Sequence, residues 1–189
     1  MSRRAAKPEG AQPLTPFKKW RAITLATLLL VPAYWSMLLG LVVGASKDRS
    51  IDINPGAAIA LGLALIPFVF VLLAFLSEHP RAPGAVLKAM GLALLVGIPV
   101  SALAGDAVTG IVAGVGAGGT VALRADLAHS WKARAIAVLL ASVYTFVLVR
   151  AAGPVALLPA PILPFTGIGI ADHLSERKAE REMSELPGN

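Results

Sequence analysis

Apolar residues in this chain gather in long unbroken blocks, not at the periods of two or 3.6 that mark half-buried strands and surface helices. The blocks cover residues 22–43, 57–76, 86–104, 107–123, 133–149 and 151–171. Lys88 and Arg134 are the only charges in any of them, each within the first three residues of its block. A helix crosses about 30 Å of hydrocarbon with about 20 apolar residues, or roughly 17 at the short end. The pattern therefore predicts an all-α integral membrane protein with about six transmembrane helices, the fourth rich in glycine and the sixth interrupted by proline. Residues 86–123 are too long for one crossing, and Gly105-Asp106 is their only polar break. A helical hairpin turning at Asp106 keeps that carboxylate away from the bilayer centre, where it costs roughly 2.5–3.5 kcal/mol.

Polar segments flank this 22–171 transmembrane domain. Residues 1–21 carry Pro8, Pro13, Pro16 and six basic side chains, and read as a disordered cytoplasmic tail. It ends in the anchor Lys18-Lys19-Trp20-Arg21. Trp131 and Lys132 form a matching pair before the fifth span, where an amphipathic ring and a snorkelling amine suit the membrane interface. The first block, at 22 residues, exceeds the roughly 7–15 of a signal-peptide core, so it is expected to be retained. Residues 172–189 form a charged cytoplasmic C-terminal tail of good helix formers, with a thin apolar stripe of Leu174, Met183 and Leu186.

Composition agrees with an oily environment. Of 189 residues, 56% are hydrophobic and 15% charged, against about 25% charged in ordinary soluble domains. That deficit excludes a soluble enzyme and a disordered chain. The net charge of +6 does not signal nucleic acid, because the positives lie in loops between apolar blocks. Fourteen of the 17 Lys and Arg residues fall on one side of a six-span topology. The positive-inside bias then places both termini in the cytoplasm. Arginine, alanine and glycine usage suggests a bacterial inner membrane as the location.

Candidate chemistry is sparse. Gly110, Gly114 and Gly118 recur every fourth residue and share one helix face, where a neighbouring backbone can approach closely. That neighbour is another helix of the chain, a membrane-protein partner or a second copy. Gly114, Gly116 and Gly119 also fit G-x-G-x-x-G, but an apolar span lacks the strand and acid that a dinucleotide site needs. Gly97 and Pro99 in span three, with Pro159, Pro161 and Pro164 in span six, mark a candidate broken-helix site. No ionisable group sits centrally in any of the six spans, which disfavours proton-coupled transport. His79, His129 and His173 show no ligand spacing, and with no cysteine the expectation is no metal and no cofactor. Asp48, Asp52 and Asp106, with Arg49 and Arg150, could gather on the outer face for metal-assisted lipid chemistry. The leading expectation is a non-enzymatic accessory, assembly or interaction subunit. A small transporter or channel near Pro99 and Pro161 is the alternative, and an outer-face lipid-modifying enzyme the third.

Overall fold

A computed structural model describes residues 16–46, 52–124 and 131–185. The described residues are all helical or connecting, with no strand. The helices are α1 (Pro16–Ala45), α2 (Pro55–Leu76), α3 (Ala82–Ala104), α4 (Ala107–Ala122), α5 (Trp131–Ala152) and α6 (Leu163–Ser184). Two 3-10 turns, Gly153–Leu157 and Ala160–Ile162, separate α5 from α6. Four helices are long and apolar enough to cross a membrane: α1, α2, α3 and α5.

Local chemistry explains the boundaries. Asn54 caps α2 by accepting from the Ala57 N–H at 3.1 Å, and Pro55 follows it at a position that has no amide to satisfy. The C-terminus of α2 closes as a Schellman turn. Glu78 takes the left-handed conformation, the His79 amide donates to Ala74 O, and the Glu78 amide donates to Phe75 O. Gly105 ends α3 at φ 69°, a region that costs other residues about 1–2 kcal/mol. Asp106 then caps α4, accepting the Thr109 N–H at 2.7 Å on one oxygen and the Thr109 hydroxyl at 2.9 Å on the other.

Two tight antiparallel hairpins build the bundle. In α1–α2, a Cβ on Gly40 would sit 2.6 Å from Pro55 O, and Ser36 Oγ donates to Ala58 O at 2.7 Å. In α3–α4, the chain turns at Gly105–Asp106. Helix α4 is the centre: twelve of its sixteen residues are buried, and it packs against α2, α3, α5 and α6. The core around it holds Leu30, Tyr34, Phe70, Val112, Phe165 and Ile168. Helix α3 is the least embedded long helix, with only Ala82, Ala85 and Ala89 buried.

Two expectations change. Helix α1 begins at Pro16, so Lys18–Arg21 are helical and not the end of a disordered tail; residues 1–15 lie outside the described residues. The segment 151–171, expected as one span, is divided among the end of α5, the two 3-10 turns and the first half of α6. Gly153 adopts φ 63°, and Pro154, Pro159 and Pro161 supply no amide donor, so an α-helix cannot propagate through them. Pro164 lies in the first turn of α6, where proline is tolerated. Ala156, Leu157, Ala160 and Pro161 are buried against the bundle. Irregular backbone in an apolar medium is stable only when covered in this way.

Candidate functional site

Three features stand out, of which the first lies at the bundle end that carries the N-terminus of α1, the α2–α3 connection and the N-terminus of α5. The first is a buried ion network. Lys19 Nζ lies 2.5 Å from Asp172 Oδ2 and also pairs with Glu176; Arg134 Nη2 pairs with Asp172 Oδ1. The side chains of Lys19 and Asp172 are 3% and 1% exposed, so neither charge is solvated. Arg134 Nη1 donates to Thr120 O at 2.7 Å, satisfying a carbonyl in the last turn of α4. Two cations and two anions cancel, and one network ties α1, α4, α5 and α6 together. A buried pair needs such complete pairing, because desolvation costs several kcal/mol per ion.

This overturns two expectations. Lys19 is not an interface anchor snorkelling toward water, and the tail reading of residues 172–189 misses that Asp172 belongs to the core. Helical phase carries the missing signal. Lys19 continues the buried stripe Ala22, Ile23, Ala26 and Leu30, while Asp172 follows Phe165 and Ile168 at spacings of three and four. The remaining anchors are peripheral. Lys18 pairs with Glu78 at 2.6 Å, Trp20 packs near Gly169, and Arg21, Trp131 and Lys132 are exposed.

The second feature is the glycine face. A Cβ on Gly110 would lie 2.5 Å from Gly97 O, on Gly114 2.5 Å from Ala93 O, and on Gly118 2.7 Å from Ala89 O. The backbone of α3 therefore occupies all three positions, with Phe70 also against Gly118. Gly97 meets α4 here, while Pro99 is exposed on α3. Pro161 is buried in the second 3-10 turn, an element that packs on α1 and α6, and Pro159 is exposed. The two halves of the candidate broken-helix site are thus placed on different elements.

The third feature is a pair of apolar clefts flanking α3. One, of about 460 Å³, lies between α2, α3 and α4 and is lined by Leu63, Leu94, Gly97, Ile98, Gly110 and Gly114, among others. The other, of about 1020 Å³, lies between α3 and α5 with α4 as its floor. Its walls include Leu92, Val96, Val138 and Leu139, and His79, Trp131 and Arg134 stand at one end. His79 Nδ1 accepts the Arg81 N–H at 3.1 Å, so a neutral ring carries its proton on Nε2. Partial burial, then the charges of Arg124 and Lys88, push the His79 pKa below the ordinary imidazole range.

Asp106 spends both carboxylate oxygens on its cap, Arg150 donates to Ala104 O at 3.2 Å and lies over Phe146, and Asp48 and Arg49 fall outside the described residues. Among the described residues no three His, Cys, Asp or Glu side chains gather as metal ligands, and His129 lies outside them. Compared with known proteins, the chain matches no family model, no curated protein and no solved structure.

Proposed function

We propose that the protein is a non-enzymatic accessory or assembly subunit of a bacterial inner membrane, which docks a partner's transmembrane helix in the α2–α3 cleft. The observation that carries this reading is the attachment of α3. It is held along one face by the glycines of α4, while Leu87, Leu94, Leu95, Ile98 and Leu103 are 63–89% exposed. Beside it, Gly97, Gly110 and Gly114 line a short apolar recess. Association in lipid draws on close van der Waals packing at small residues, and crossing helices need only a short contact. The charges that could do chemistry at depth are instead matched to one another in the Lys19–Asp172 network.

In this reading the chain crosses six times with both termini cytoplasmic, and the sixth crossing combines the 3-10 turns with the first half of α6. The basic bundle end, with its Lys and Arg surplus, faces the cytoplasm. Gentle-detergent purification from the native membrane should recover a defined membrane-protein partner. Leu63→Trp with Ile98→Trp fills the recess at exposed positions, and should abolish that partner at unchanged melting temperature. Retention of the partner by the filled variant refutes the docking site.

A further inference from the structure

The cleft between α3 and α5 differs from its neighbour across α3 in three respects. It is about twice as large, its basic side chains stand at one end only, and it runs nearly the whole length of α4. Its floor runs from Thr109 to Leu123, the C-cap of α4, fourteen residues or about 21 Å at 1.5 Å per residue. The cleft therefore runs nearly the full length of α4, from beside its Asp106 cap to its C-terminal end. An empty groove of this size forfeits dispersion contacts along its walls, so a membrane constituent fills it.

Charge identifies the constituent. At the polar end, His79 offers Nε2–H, Trp131 an indole N–H on a ring that is 71% exposed, and Arg134 a buried guanidinium. Lys88 and Lys132 are exposed beside this end, and among the described residues neither has a carboxylate partner. The Arg124 guanidinium is fixed by donating to Glu78 O at 3.1 Å. The acids nearby are already engaged, Glu78 with Lys18 and Asp172 with Lys19 and Arg134. The mouth is thus a net cation with donors facing an apolar channel.

We infer that the α3–α4–α5 cleft is a selective site for one anionic phospholipid, its phosphate at the His79–Trp131–Arg134 end and its acyl chains lying over α4. A zwitterionic lipid fills the channel equally well but gains less from the lysines, which are each worth roughly fivefold in binding near a membrane surface. The full-length protein in detergent, stripped of lipid and titrated with phosphatidylglycerol or phosphatidylcholine, should retain phosphatidylglycerol at least tenfold more strongly by native mass spectrometry. Lys88→Gln with Lys132→Gln should bring the two lipids to near parity. Leu139→Trp, or independently Val143→Trp, should block both, since these wall residues are 61% and 52% exposed and can enlarge without repacking the core. Equal retention of the two lipids by the unaltered protein overturns the inference. So does unchanged retention in both tryptophan variants, or a second copy of the chain cross-linked through a cysteine at position 139.

Discussion

Asp172 is the residue on which the basic end depends. It accepts from Lys19 and Arg134 at once, and its side chain is 1% exposed. Removing one member of a buried pair costs about 3–5 kcal/mol because the partner charge is left uncompensated, whereas removing both members together costs far less. Asp172→Asn should therefore lower stability by about 3 kcal/mol or more. Lys19→Met with Asp172→Asn removes one cation and one anion together, so the cluster stays neutral, and should cost less than the sum of the two single changes. Thermal unfolding of the four proteins in one detergent measures the coupling, and additive losses would mean the pairs contribute independently. These residues were hidden in the sequence because a charge at the edge of an apolar block looks like an interface charge. Only the phase of Lys19 with Ala22, Ile23 and Ala26 distinguishes the two, and its partner lies 153 positions away.

At the scale of elements, the α3–α4 hairpin was legible because its determinants are local. Gly105 supplies a left-handed residue, Asp106 a cap, and the glycine spacing a flat face. The proline-rich segment was not, since counting apolar residues cannot separate a kinked span from turns folded against α1. The glycines of α4 also differ among themselves in a way spacing does not reveal. A Cβ on Gly114 would press on Ala93 O at 2.5 Å and Gly97 Cα at 3.2 Å, whereas on Gly116 it would meet Val138 at 3.5 Å, an ordinary contact. Gly114→Ala should push α3 away from α4 and cost about 1–3 kcal/mol. Gly116→Ala should be neutral or stabilise by up to about 1 kcal/mol, through the better helix propensity of alanine. Melting temperatures that fall equally for both would contradict this packing.

For the whole molecule, the ion network has a topological consequence. Lys19 stands one turn into α1, and Asp172 and Glu176 stand in the middle of α6, so the start of the first helix and the second half of the last occupy the same bundle end. Lys18 reaches Glu78 at that end too, which brings the α2–α3 connection alongside. Asn54, at the start of α2, is one helix length away, about 33 Å at 1.5 Å per residue over 22 residues. An even number of crossings follows if this axis lies along the membrane normal, whatever path the 3-10 turns take. The chain has no cysteine, so single cysteines report cleanly. In sealed vesicles carrying the protein, cysteines at Glu78 and Glu185 should react with an impermeant thiol reagent from the same side, and one at Ile53 from the opposite side. Labelling of positions 78 and 185 from opposite sides would break the pairing of α1 with α6, and with it the proposed placement of both termini in the cytoplasm.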